Sequence, residues 1–146
     1  MLMLAADQLS KALVLAARPR PGSGLVTIPL VRNTGASFGV GAGHPVPVML
    51  VSVVVIAVAG ALLARASSRV AALFLATVLG GALGNLADRL FRSPGRARGA
   101  VIDWIHVGWY PATFNVADVA IRLGAVGAVA AILGAWAHLG RWAELG

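Results

Sequence analysis

Five acidic residues occur in this 146-residue chain: Asp7, Asp88, Asp103, Asp118 and Glu144. Glu144 is in the tail, and the other four lie near or inside apolar segments, where ionised groups are costly. Asp103 sits in Val101-Ile102-Asp103-Trp104-Ile105, with no Lys or Arg within four positions. Asp118 sits in Phe114-Asn115-Val116-Ala117-Asp118, at the first turn of an apolar run, where a helix N-terminus favours negative charge. Arg122 follows one turn later as a candidate partner. Two carboxylates held together in a partly dry site cannot easily both ionise, so the pair holds one proton between them. The ionised member can take a proton from water while the protonated member polarises a scissile carbonyl. That is hydrolysis of the aspartic type, and it requires no metal, cofactor or cysteine. Asp103, with no cation near it in sequence, is the member expected to hold the proton.

The remaining polar residues invite quieter readings. Asp7 and Lys11 are spaced i, i+4, share a helix face and read as a neutralised pair that locks the first helix to its neighbours. Asn33-Thr34-Gly35-Ala36-Ser37-Phe38-Gly39 is a polar loop whose glycines permit tight turns. Gly80 and Gly84 have a spacing that lets helices approach closely. Asn85 is one turn from both Asp88 and Arg89, a patch that reads equally as a capping network or as the rim of a site. Arg89 is the structural partner expected for Asp88. His44, His106 and His138 are too scattered for a metal site. No serine sits in a nucleophile elbow, and no phosphate or dinucleotide loop occurs. With no cysteine there are no disulfides and no thiolate chemistry.

These groups must be positioned by elements that live in lipid. The chain is 59% hydrophobic and only 12% charged, about half the charged share of a soluble domain. The net charge of +7 comes from arginines lying mostly between apolar runs, which suits lipid headgroups rather than nucleic acid. The apolar runs predict an all-α polytopic membrane protein, one domain over residues 1–146, with four spanning helices at about 1–17, 46–64, 70–90 and 116–139. The first is short for a span, which leaves its true start open. Asp7 and Lys11 interrupt it and no basic region precedes it, so it does not read as a signal peptide. Leu25 to Arg32 reads as a short β segment. Trp104, Trp109 and Tyr110 suit a membrane–water interface. Four spans bring Asn33, Asp88, Asp103 and Asp118 to one membrane face. Lys/Arg counting would make that face cytoplasmic, because Arg18, Arg20, Arg32, Arg92, Arg96 and Arg98 lie on it and Arg65, Arg69 and Arg141 on the other.

Five blocks, taken in order along the chain, carry a resemblance. They are Asp7-Gln8-Leu9-Ser10-Lys11, Asn33 to Phe38, Gly80 to Leu90, Val101-Ile102-Asp103-Trp104 and Phe114 to Asp118. Together they resemble the type II signal peptidases, the prolipoprotein signal peptidase family, over nearly the whole length. The resemblance implies an aspartic endopeptidase of the bacterial cytoplasmic membrane that cuts before a cysteine carrying a diacylglyceryl group. Its substrates would be lipidated prolipoprotein signal peptides amid membrane phospholipid, with no cofactor, no metal, no nucleic acid and a monomeric enzyme. The catalytic pair would be Asp103 and Asp118, and Asp7, Lys11, Asn33, Gly35, Asn85, Arg89 and Asn115 would bind substrate or support the site. Both termini would be cytoplasmic and the site would lie near the outer leaflet, against the charge count. A small extracytoplasmic β platform and a mobile loop would fall in residues 25–38 and 104–113. Trp104 stands where phenylalanine is commoner, the loop between Asp103 and Asp118 is compact, and the outer loops are rich in arginine. A proton-coupled carrier would spread its charges through the bilayer depth, whereas these gather at one face. A plain scaffold would explain the glycine spacing but not Asp103.

Overall fold

The computed structural model describes residues 1–20, 22–36, 40–93 and 98–143, with side chains left out at 45 and 135–143. Ser37, Phe38, Arg96 and Glu144 therefore lie outside the described residues, as do the side chains of His138 and Arg141. Four helices carry the fold: α1 (Leu2–Ala17), α2 (Pro45–Ala64), α3 (Arg69–Phe91) and α4 (Val116–Ala143). Pro residues at the start of α2 suit a first turn whose N–H groups have no helical partner. Ser68 caps α3 by accepting from the Ala71 N–H at 3.3 Å. Arg18 ends α1 in the left-handed conformation, with φ of 44°.

Among the described residues, three helical segments are long and apolar enough to cross a membrane: Val46–Ala64, Arg69–Phe91 and Val116–Gly134. At 16 residues, α1 is not among them. It reaches roughly 24 Å at 1.5 Å per residue, short of a hydrocarbon core of about 30 Å. The protein is thus a mostly helical, multi-pass membrane protein with three candidate spans, where the sequence reading expects four. Leu50, Val54 and Val58 on α2 are more than half exposed, as lipid-facing side chains should be.

α3 is the central helix, packed against α1, α2 and α4. A side chain at Gly80 would put Cβ 2.9 Å from Met3, and one at Gly84 would put it 2.5 Å from the Asp7 carboxylate. The two glycines therefore open one face of α3 to α1. Met3 opposite Gly80, Asp7 opposite Gly84 and Lys11 beside Asn85 show that α1 and α3 run parallel. On another face, Gly81 meets Ala117 of α4, and Gly124 of α4 meets Phe74 and Val78. These contacts make α4 antiparallel to α3 and bring its N-terminus to the polar end of the helices.

Over that end lie two small antiparallel ribbons. β1 (Val26–Thr27) pairs with β4 (His106–Val107), and β2 (Val31–Asn33) pairs with β3 (Val101–Asp103) in the register Val31↔Asp103, Arg32↔Ile102, Asn33↔Val101. The β segment expected at Leu25 to Arg32 is therefore two strands, and their partners come from the stretch between α3 and α4. Residues 106–107, expected within a loop, belong to the platform instead. β3 is buried at all three positions, so it has none of the polar–apolar alternation that announces a strand.

Candidate active site

Asp118 is placed by the start of α4. Its Oδ2 accepts the Asn115 N–H at 3.2 Å, and the Asn115 Oδ1 accepts the Asp118 N–H at 2.9 Å. This reciprocal capping box satisfies two donors at the helix start. The Ala117 N–H between them is taken by Asp7 Oδ1 of α1 at 3.0 Å. Asp118 is thereby fixed at both side chain and backbone, with its Oδ1 turned to the Asn85 Nδ2 at 3.0 Å. Arg122, one turn on, donates to the Tyr110 hydroxyl at 2.8 Å and lies 5.6 Å from that ring's centre.

Asp103 ends β3, and ladder pairing with β2 sets its position. Its Oδ2 accepts the Asn33 Nδ2 at 2.9 Å and its Oδ1 accepts the Asn115 Nδ2 at 2.7 Å. Asn115 therefore touches both aspartates. Burial pushes the Asp103 carboxyl up to about 6; the Asn33 donor works against the rise, the Asp118 charge adds to it, and Asn115 and Lys11 hold it back. Desolvation disfavours the charged form and outweighs the amide donors here.

Three carboxamides point their nitrogens at this pair, and each orientation has a definite cause. Asn33 Oδ1 accepts the Gly35 N–H at 2.8 Å. Asn115 Oδ1 accepts the Asp118 N–H. Asn85 Oδ1 accepts from Lys11 Nζ at 3.0 Å and from Asn115 Nδ2 at 3.2 Å. Backbone N–H and ammonium groups are donors only, so each holds the amide oxygen and leaves the NH2 group for a carboxylate.

The other two aspartates, both fully buried, form a separate cluster. Lys11 Nζ lies 2.8 Å from Asp7 Oδ2 and 2.8 Å from Asp88 Oδ2, and all three side chains are fully buried. Asp88 Oδ1 pairs with Arg92 Nε, and its Oδ2 accepts the Ile102 N–H at 3.1 Å. Gln8 joins Asp7, Asp88 and the Gly84 carbonyl. The expected pairing of Asp88 with Arg89 is thus replaced by pairing with Lys11 and Arg92. Neighbouring side chains on a helix diverge by about 100°, whereas i, i+4 side chains share a face. Arg89 faces the other way and donates from Nη2 to the Gly35 carbonyl at 2.6 Å. Its Nε and Nη1 are buried with no hydrogen-bond partner among the described residues. The polar patch of α3 is therefore divided: Asn85 serves the aspartate pair, Asp88 the ion cluster and Arg89 the Gly35 turn. Gln8 and Arg92 were not singled out by sequence; the i, i+4 spacing of Asp88 and Arg92 was the available signal.

A cavity of about 170 Å³ brings Asn33, Gly35, Asn85, Arg89, Asp103 and Asp118 to one surface. Val48, Val51 and Val55 of α2, Ala82 of α3 and Ile121 of α4 form its apolar wall. Asp7 and Lys11 are not part of its lining; they touch it through Asn85 and the α4 start.

The family profile described as Signal peptidase (SPase) II matches residues 1–134. The chain is 43% identical over 130 residues to a lipoprotein signal peptidase of Rhodococcus jostii (strain RHA1), covering 85% of this chain and 65% of that one. It is 40% identical over 130 residues to one from Mycobacterium avium (strain 104), covering 85% and 70%. With the Mycobacterium tuberculosis (strain ATCC 25618 / H37Rv) lipoprotein signal peptidase it shares 45% identity over 101 residues, 69% of this chain and 50% of that one. The chain thus spans about half to 70% of the length of these curated relatives. The fold is similar to a bacterial membrane enzyme solved in meso at 2.3 Å, with a TM-score of 0.76, 22% identity and coverage of 91% of this chain and 84% of that one.

Proposed function

The chain belongs to the signal peptidase II family, and on that premise we propose that it is an aspartic endopeptidase that removes signal peptides from diacylglyceryl-modified prolipoproteins, cutting before the lipidated cysteine. The observation that carries the reading is the pair Asp103 and Asp118, bridged by Asn115 and facing one cavity with an apolar wall. The relatives named above are lipoprotein signal peptidases, which supports the substrate class.

In this reading Asp103, pushed up to about 6 by burial, is the member that carries the proton in the singly protonated, active form of the pair and donates it towards the scissile carbonyl oxygen. Asp118, held in the capping box, is the ionised base. It takes a proton from water as the water oxygen bonds to the carbonyl carbon. Collapse of the tetrahedral species breaks the C–N bond as the proton on Asp118 passes to the leaving nitrogen and one hydroxyl proton returns to Asp103, which restores the singly protonated pair. The signal peptide lies against Val48, Val51, Val55 and Ile121, and Arg89 holds the Gly35 carbonyl at the cavity wall through its Nη2. Asn33 and Gly35 support the platform side. The whole chain acts as one membrane-embedded unit, with α1 as a fourth membrane helix, the termini cytoplasmic and the site near the outer leaflet of the cytoplasmic membrane.

The test is cleavage of a diacylglyceryl-modified prolipoprotein by purified protein. D103N and D118N should each lose about 10²- to 10⁴-fold in rate, the range typical of a lost general acid or base, while staying folded. Wild-type rates in both variants would sink the assignment.

A further inference from the structure

Of the three amides that serve the aspartates, two are oriented by backbone N–H groups that only proline would remove: Gly35 N–H for Asn33 and Asp118 N–H for Asn115. Asn85 differs. Its oxygen is held by a side-chain cation, Lys11 Nζ at 3.0 Å, and by Asn115 Nδ2 at 3.2 Å. Lys11 is fully buried and its three N–H groups have three acceptors, Asp7 Oδ2, Asp88 Oδ2 and Asn85 Oδ1. It has no spare donor and no freedom to swing away. An ammonium cannot accept a hydrogen bond, so it forbids the flipped amide, in which the Asn85 NH2 would face it.

We propose that Lys11, which hydrogen-bonds to neither Asp103 nor Asp118, is a positioning residue that acts through Asn85: by holding the carboxamide oxygen it keeps the Asn85 NH2 on Asp118 and so keeps Asp118 as the accepting, ionised member of the pair. This deepens the proteolytic reading and rests on it. Without Lys11 the oxygen keeps only the longer Asn115 Nδ2 contact at 3.2 Å, and the flipped amide becomes accessible. A turned Asn85 presents an oxygen to Asp118, and two facing oxygens need a proton between them. Lys11 thereby links the ion cluster under α1 to the chemistry at the start of α4. The charged groups around Asp118 are Lys11 from α1, Arg89 from α3, Arg122 from α4 and Asp103 from β3. All but Lys11 remain when Lys11 is replaced.

The experiment compares pH–rate profiles of prolipoprotein cleavage for wild type, K11M, N85A and K11M/N85A. K11M should lose about tenfold or more in kcat with little change in KM, as expected for an interaction that matters at the chemical step. Its acid limb, where the base ionises, should move to higher pH by about one unit, an energy-scale change typical of one lost charged hydrogen bond. On the N85A background the K11M change should move the limb clearly less than on the Asn85 background, because only the charge of the lysine still acts there. K11M strands the Asp7 carboxylate, so D7N/K11M serves as the second variant. It keeps an oxygen for the Ala117 N–H and leaves Asp88 with Arg92. A wild-type acid limb in folded K11M or D7N/K11M would overturn the proposal. So would an equal shift on both the Asn85 and N85A backgrounds, which would mean that Lys11 acts by its field alone. Failure of the wild type to cut any prolipoprotein would instead overturn the proteolytic reading, and this inference with it.

Discussion

Four aspartates, three of them buried and Asp118 half-buried, lie within one end of this molecule, and they are held in two different ways. Asp7 and Asp88 are held by cations, with Lys11 Nζ at 2.8 Å from each and Arg92 on the far oxygen of Asp88. Asp103 and Asp118 are held by carboxamides from Asn33, Asn85 and Asn115. Amide donors and cations both satisfy lone pairs, but they differ in what they do to the proton. A buried cation at contact distance commits its partner to the ionised form. An amide tolerates either form, because a carboxyl that gains a proton on one oxygen can still accept on the other. The cation-held cluster has become structure, tying α1 to α3 and, through the Ala117 N–H, to α4. The amide-held pair faces a cavity and retains a proton that can move.

The comparison predicts opposite responses to the same chemical change. D88N should destabilise the fold by roughly 1–3 kcal/mol, because Lys11 keeps Asp7 but one of its buried N–H groups and Arg92 lose an ionised acceptor. Thermal unfolding in detergent would show it, and an unchanged midpoint would show that the cluster is not structural. D103N should do the reverse at neutral pH. The Asp103 carboxyl is raised from 3.8 to about 6 in the folded protein, so the folded state binds its proton more tightly than the unfolded chain does. Stability from this group is therefore full below about pH 4 and is lost as pH rises through about 6. A shift of that size corresponds to on the order of 2–3 kcal/mol of stability lost above pH 6. D103N removes the dependence, so it should unfold at a higher temperature than wild type at pH 7.5 and at a similar one at pH 4. A lower midpoint at pH 7.5 would show that Asp103, too, is held as a structural anion.

Much of this division can be read from the sequence, and the parts that cannot have physical reasons. Long apolar runs give α2 and α3 to within a residue at each end, because lipid imposes its own length on them, whereas α4 runs four residues beyond the expected end at 139. Helix counting brings Asn33, Asp88, Asp103 and Asp118 to one end, and the antiparallel contacts of α3 with α4 do place them there. The Asp7–Lys11 pair is legible because i, i+4 spacing is local. The partners of Asp103 are not local: Asn33 is 70 positions away, and only the β2–β3 ladder brings it in. The β3 strand is hidden because full burial erases alternation, and the Asp88 partner is misread when proximity in sequence stands in for proximity on a helix face. Lys11 also reaches further than its local pair suggests, since its second and third acceptors sit on α3.

The smallest expected effect tests whether the cation-held cluster is itself uniform. Asp88 has two cations, and they are not equivalent. Lys11 is fully buried, whereas the Arg92 side chain keeps 22% of its surface exposed at the last turn of α3. An ion pair with a partly hydrated member gains less, since water screens it and replaces it when it is lost. In R92Q, Asp88 keeps Lys11 at 2.8 Å, the Ile102 N–H and the Gln8 amide. No buried charge is stranded, so the cost should be about 1 kcal/mol or less, in the range of exposed pairs. The same measurement that shows the larger loss for D88N should therefore show a slight one for R92Q. Equal losses would mean that Asp88 depends on Arg92 as much as on Lys11. The neutrality of the cluster would then rest on its rim rather than on the buried lysine.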